Sequence, residues 1–155
     1  MLPFDNQYIR VTKKFSFDMA HALYGYDGPC KNIHGHTYVL YVTLKGKALE
    51  NESHPKNGMV IDFTDLKIIV RQNIIDAFDH ALVLYEKSPH KNLQPQLTEQ
   101  FEKIIFLDHQ PTCENLLLHF QRILLPHYQS HIKLVAMRLE ETPDSYSEWL
   151  RNDNV

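Results

Sequence analysis

The sequence predicts an α+β fold: an antiparallel four-stranded sheet with two helices packed on one face. Three observations predict it. Stretches rich in β-branched and aromatic residues occur as one pair before position 50 and another after position 130. Between them lie two amphipathic stretches whose apolar residues recur at helical spacing. The order, strand–strand–helix then helix–strand–strand, suits helices segregated to one face of an antiparallel sheet.

The first strand is Tyr8 to His21, "YIRVTKKFSFDMAH". A turn-rich loop holding Gly25, Asp27, Gly28 and Pro29 leads to "HTYVLYVTLKGKAL", a longer strand that is apolar on both faces in its middle, as if both were covered. The pair reads as an antiparallel hairpin with a wide loop. "NESHPKNGM" is a turn region, and "VIDFTDLKIIVRQNIIDAFD" a helix with Asp62 as N-cap and Asp65 three residues on. Its buried face is Leu66, Ile69, Val70, Ile74, Ala77 and Phe78. Residues 81–110 are less regular, with Pro89 and Pro95 and one short strand candidate, "KIIFLDH". "PTCENLLLHFQRILLPHY" is the second helix, capped by Thr112, with Cys113 a small buried residue in its first turn. "HIKLVAMRLEET" and "SYSEWLR" complete the strands.

No repeat, low-complexity run or linker divides the 155 residues, so the expectation is one domain, 1–155. A net charge of −3 gives no electrostatic case for nucleic acid or an anionic membrane. "MLPFDNQYIR" lacks the apolar core of a leader peptide, and no apolar run approaches a membrane span. Cys30 and Cys113 are too few for a disulfide framework, which points to a reducing cytoplasm.

Ten histidines are present, and position singles out three. In "GPCKNIHGHTY", His34 and His36 are two apart, so on a strand they share a face, and Gly35 between them admits a close approach. If the first two strands pair, His21 at the end of one lies near the start of the other. Three converging imidazoles match catalytic zinc sites, which keep a fourth position for water or substrate. Cys30, four residues before His34, has two readings on spacing alone: fourth ligand of a closed structural site, or a separate group beside the metal. His54, His90, His109, His119, His127 and His131 read as surface or capping histidines.

"FSFDMAH", "CKNIHGHTY", "GMVIDFTDLK", "FDHALVL", "PTCENL" and "ETPDSY" follow one another as they do in the 6-pyruvoyl-tetrahydropterin synthase family. The chain resembles that family over roughly residues 8–80 and 111–146. Within it, the three-residue gap between Cys30 and His34 is similar to the 6-carboxy-tetrahydropterin synthases of queuosine biosynthesis. A branch with glutamate in place of the cysteine is excluded by Cys30 itself. The resemblance implies a tunnelling fold, with sheets of several subunits joined into a barrel. It implies a homo-oligomer, hexamer or tetramer, with active sites between subunits. It also implies Zn2+ on His21, His34 and His36, Cys30 as an unligated catalytic residue, and Asp79 and His80 completing the catalytic set. Glu141 is then the pterin anchor, with Thr112 in the same pocket. The thirty residues from His80 to Pro111 mark an insertion at about 81–110 relative to that family.

The activity so implied is a lyase reaction. It takes 7,8-dihydroneopterin triphosphate to 6-carboxy-5,6,7,8-tetrahydropterin, with loss of triphosphate and acetaldehyde. The alternatives are 6-pyruvoyl-tetrahydropterin formation from the same substrate, or a non-catalytic pterin- or zinc-binding module. Cationic charge beside a thiol favours the thiolate, so Cys30 near zinc suits a base. A carboxylate such as Glu141 matches the paired N–H donors of a pterin edge. Glu140, next to it, points to the other sheet face. Lys13, Lys14 and Lys31 are the basic residues nearest in sequence for the phosphates.

Overall fold

The computed structural model describes residues 6–155. Positions 1–5, within the N-terminal stretch read above as carrying no leader, lie outside it. Two long strands, β1 (Ile9–His21) and β2 (His34–Gly46), pair antiparallel along their whole length. Their residues alternate strictly. Phe15, Phe17, Met19 and His21 of β1 are buried, whereas Thr12, Lys14, Ser16 and Asp18 between them are exposed. On β2 the same inward face is Tyr38, Leu40, Val42 and Leu44, all fully buried. On its outward face Val39, Tyr41 and Thr43 are half-buried. There the Arg138 guanidinium lies 5.3 Å from the Tyr41 ring centroid and 3.5 Å from that of Tyr146.

β5 (Lys133–Thr142) pairs antiparallel with β2, and β6 (Ser145–Leu150) with β5. These four strands answer the expectation. The sheet differs from it in having six strands and in being mixed. β3 (Leu82–Tyr85) runs parallel to the end of β1, and β4 (Ile104–Leu107) parallel to β3, giving the order β4-β3-β1-β2-β5-β6. The segments "LVLY" and "IIFL" are only four residues long, too short to carry a period of their own. β3 becomes a strand by pairing at the open edge of β1 and β4, within the expected "KIIFLDH", by pairing with β3.

The first helix, α1 (Phe63–Val70), begins with Asp62 accepting from the Thr64 N–H at 2.8 Å. It continues through a π-helical stretch (Arg71–Ile75) into Asp76–Phe78. The wider turn carries Ile75 onto the buried face and leaves Ala77 exposed, reversing the expectation for Ala77. A third helix, absent from the sequence reading, is α2 (Gln94–Gln100), which has no buried residue. That explains why no apolar stripe announced it. The last helix, α3 (Cys113–Leu124), is capped by Thr112, which accepts from the Asn115 N–H at 3.2 Å. Leu116, Leu117, Phe120 and Leu124 join Leu66, Val70 and Ile74 against the inward face of β1 and β2. Phe120 meets Phe78 and Phe17 edge-on at 4.9 and 6.1 Å between centroids. α1 and α3 therefore cover one face of the sheet, and the end of that face carries the histidines.

Candidate active site

The β1–β2 register sets His21 directly opposite His34, and Met19 opposite His36. Alternation turns His21, His34 and His36 to the same face. Their ring centroids lie 4.6, 4.9 and 5.3 Å apart, and one ring nitrogen from each falls within 4.8 Å of the others. A Cβ at Gly35 would sit 3.3 Å from the Met19 carbonyl oxygen, so glycine permits the close strand approach there.

The hydrogen bonds fix which nitrogens face inward. His21 Nδ1 is 2.7 Å from the Pro111 carbonyl oxygen, and His34 Nδ1 is 2.8 Å from that of Asn32. A carbonyl only accepts, so both Nδ1 atoms carry the proton and both Nε2 atoms present lone pairs. Those two Nε2 atoms face each other at 3.0 Å, a repulsive arrangement unless a cation lies beside both. His36 Nε2 is buried without a hydrogen-bond partner. Burial, opposed by the hydrogen bond to the Pro111 carbonyl and reinforced by His34 and His36, pulls the His21 pKa down from 6.5 to about 4. Burial also lowers that of His36, opposed by the Glu141 carboxylate 3.8 Å from its Nε2. Neither His21 nor His36 therefore favours a proton in the gap at neutral pH. Tetrahedral ligation at 2.0–2.1 Å places donors roughly 3.3 Å apart. Three converging imidazoles, two of them oriented through Nδ1 by carbonyls, fit a bound metal ion.

Beside this triad, Cys30, Thr112, Cys113 and Glu141 line a cleft of about 270 Å3 with Tyr26 and Tyr146. Four chain segments build it: the loop after β1, the start of α3, and the facing ends of β5 and β6. The structure thus brings Cys30, Thr112 and Glu141 together and ties them to the triad through Glu141. Glu140 is bonded instead to Arg138 on the outward face, at 2.7 Å. Cys113, expected as a small core residue, is half-buried and walls the cleft. It donates to the Leu139 carbonyl at 3.3 Å, and burial pushes its thiol pKa up.

Asp79 and His80 lie elsewhere in the same chain. His80 Nδ1 is 3.0 Å from Asp79 Oδ1, which also accepts from the Asp18 N–H at 3.0 Å. Asp18 alternates away from His21, and its carboxylate accepts from Thr37 Oγ1 at 2.6 Å on the outward face. The pair therefore sits across the β1–β2 ribbon from the imidazoles. His80 is three-quarters exposed and holds a left-handed φ of 64°, a conformation costly for a residue with a side chain. Its N–H donates to the Asp18 carbonyl at 2.6 Å, and Lys103 Nζ donates to the Asp79 carbonyl at 2.9 Å. Burial raises the Asp79 pKa, but the Asp18 N–H and His80 more than offset it, leaving it below its usual value.

Several contributors escaped the sequence reading. The carbonyls of Asn32 and Pro111 orient ligands through the backbone, which leaves no residue-type signal. Asp18 was visible inside "FSFDMAH", but only alternation on β1 assigns it to the face of Asp79. Of the remaining histidines, expected at surface or capping positions, His90, His109 and His119 are half-buried. Of the lysines, Lys13 lies 5.9 Å over the Phe63 ring on the helix-covered face, and Lys14 is exposed on the other. Among the described residues, no helix is long and apolar enough to cross a membrane.

The profile of the family described as 6-pyruvoyl tetrahydropterin synthase matches residues 10–152. The chain is 37% identical over 142 residues to the 6-carboxy-5,6,7,8-tetrahydropterin synthase of Haemophilus influenzae, covering 90% of this chain and 97% of that one. It is 30% identical over 143 residues to the enzyme of the same name from Rickettsia bellii, covering 90% and 99%. Among solved structures it is similar to the 6-pyruvoyl tetrahydropterin synthase of Caenorhabditis elegans. That match has a TM-score of 0.64 and 25% identity, over 93% of this chain and 96% of that one. A protein from Wolinella succinogenes shares the fold with a TM-score of 0.79 at 19% identity, over 94% and 99%. The chain belongs to the 6-pyruvoyl tetrahydropterin synthase family.

Proposed function

We propose that this chain converts 7,8-dihydroneopterin triphosphate, with uptake of water, to 6-carboxy-5,6,7,8-tetrahydropterin, triphosphate and acetaldehyde. The observation that carries the reading is the joining of the imidazole triad to a cleft holding Cys30, Thr112 and Glu141, with Glu141 reaching within 3.8 Å of His36. The 6-carboxy product is favoured by the similarity to synthases so named at 30–37% identity and by the Cys30–His34 spacing.

His21, His34 and His36 hold Zn2+ in this reading. When bound, zinc supplies Lewis-acid polarisation of the substrate's side-chain oxygens. Glu141 accepts from two N–H groups of the pterin edge and so fixes the ring, with Thr112 beside it. Cys30, on the same cleft, takes a proton from the polarised side chain as its thiolate. Asp79 holds His80 with Nδ1 protonated, which leaves His80 Nε2 to receive or deliver the second proton. In one chain, however, His80 is across the ribbon from Cys30. The working site therefore takes Asp79 and His80 from a second copy, within a hexamer or tetramer. Mixing inactive Cys30→Ala and His80→Ala proteins should restore part of the activity through hybrid sites. No recovery after subunit exchange would place both residues in one chain's site.

The deciding experiment is product analysis with zinc-loaded enzyme and 7,8-dihydroneopterin triphosphate. Equimolar triphosphate, acetaldehyde and 6-carboxy-tetrahydropterin are expected. Triphosphate without acetaldehyde would replace this reading with 6-pyruvoyl-tetrahydropterin formation. Binding without turnover would leave a pterin-binding module.

A further inference from the structure

We propose that the 81–110 segment positions Cys30 through a clamp on Tyr24, with Gln110 as the positioning residue. The proposal rests on the reading of Cys30 as the base of the reaction above. Cys30 sits in a loop between β1 and β2 with little regular structure beyond the short turn Pro29–Lys31. Most of the hydrogen bonds of residues 23–33 are local. The Leu23 N–H donates to the Cys30 carbonyl at 2.9 Å, Lys31 to Gly28, and Asn32 to Pro29. Such bonds shape the loop without fixing where it stands. Among the described residues, one pair ties this stretch to a part of the chain distant in sequence. The Tyr24 N–H donates to Gln110 Oε1 at 3.1 Å, and Gln110 Nε2 donates to the Tyr24 carbonyl at 2.7 Å. One side-chain amide thus engages both polar groups of the Tyr24 backbone, as a neighbouring strand would.

Gln110 is itself held on the frame of the site. Its carbonyl accepts from the Thr112 N–H at 2.9 Å and from Asn115 Nδ2 at 3.0 Å. The next residue, Pro111, supplies the carbonyl that orients His21, and Thr112 lines the cleft. From the other side, the His90 ring meets the Tyr24 ring edge-on, 5.4 Å between centroids. Two residues of the 81–110 segment therefore grip one residue of the cysteine loop. The line from Gln110 through Tyr24 and Leu23 to the Cys30 carbonyl is made of hydrogen bonds and adjacent residues only. It sets the distance from Cys30 to the triad and to Glu141. An amide suits this work because Tyr24 needs both an acceptor and a donor, and a carboxamide offers the two side by side on one planar group.

The test is Gln110→Leu in the zinc-loaded enzyme, with two readouts. Loss of the clamp should lower kcat about tenfold or more, as misplacement of a reacting group does. KM for the pterin should stay within about twofold, because Glu141 and Thr112 are untouched. Iodoacetamide labelling, followed peptide by peptide to separate Cys30 from Cys113, should show Cys30 alkylated several-fold faster than in the unaltered enzyme at equal zinc content. A Cys30 rate equal to that of the unaltered enzyme would overturn the proposal, as would a rise in KM with kcat unchanged. Should Gln110→Leu fail to fold, Gln110→Asn keeps the amide but withdraws it from Tyr24, and the same outcomes decide. If the unaltered enzyme does not turn over the pterin at all, the functional reading fails. The labelling rate still decides the clamp, a change supporting it and no change overturning it.

Discussion

Removing the metal should make this protein unusually sensitive to mild acid, and His21 is the reason. In the folded metal-free chain its imidazole is buried and neutral, with a pKa drawn from 6.5 down to about 4. In the unfolded chain it titrates near 6.5. Between those values the unfolded state binds a proton that the folded state refuses, so stability falls as pH falls. Above pH 6.5 both forms are neutral and the group contributes no slope. At about 1.36 kcal/mol per pH unit, the drop from 6.5 to about 4 corresponds to about 3 kcal/mol lost by pH 4. His36 and His119, whose pKa values burial also lowers, act in the same direction. The contribution of His21 is therefore read by difference. Urea unfolding of chelator-treated protein should be measured from pH 7.5 to 4 beside His21→Gln, which keeps a polar group and cannot titrate. The unaltered protein should lose about 3 kcal/mol more than the variant over that range. Saturating zinc should enlarge the difference, because a ligated imidazole refuses the proton more strongly while the unfolded chain still binds it. Equal pH slopes in the two proteins would refute the assignment of His21 as a buried neutral imidazole.

Three further outcomes follow from the same geometry. Cys30→Ala should abolish turnover while leaving about one zinc per subunit by metal analysis, and loss of zinc would make Cys30 the fourth ligand of a closed site. Glu141→Ala should weaken pterin binding on the order of a hundredfold by calorimetry, since two hydrogen bonds to a charged acceptor are lost. An unchanged affinity would place the pterin elsewhere. Phe120→Ala, at a position fully buried between Phe17 and Phe78, should cost about 3–5 kcal/mol in urea unfolding. A cost below about 1 kcal/mol would show that α3 is not packed there as described.

Much of the fold was legible because its signals are local. The alternation of Phe15, Phe17, Met19 and His21 announces β1 without any partner, and H-x-H on β2 announces one shared face. Asp62 and Thr112 mark helix starts through bonds to residues two or three positions on. The opposite holds for "LVLY", whose strand identity comes from pairing at the edge of β1, whereas "IIFL" lies within the expected "KIIFLDH" and gains its place in the sheet by pairing with β3. It holds also for α2, which buries nothing and so displays no stripe. Ala77 was misplaced because a π-helical turn changes the phase of a helix without a residue type to signal it.

The site divides along the same line. By itself the sequence singled out candidates for chemistry: three imidazoles by their spacing and, through the family resemblance, the Cys30 thiol, the Glu141 carboxylate, the Thr112 hydroxyl and the Asp79–His80 pair. Only the tertiary structure decided how they group. Cys30, Thr112 and Glu141 are far apart along the chain, and they meet because the ends of β5 and α3 pack beside the loop leaving β1. Asp79 and His80, expected in the same set, lie on the other side of the ribbon beside Asp18, which alternation on β1 turns away from His21. The tautomers of His21 and His34 rest on two backbone carbonyls. The brace on the cysteine loop rests on one glutamine amide. Residue type limits what a side chain can do, and distances set by packing remote segments decide with which partners it does it.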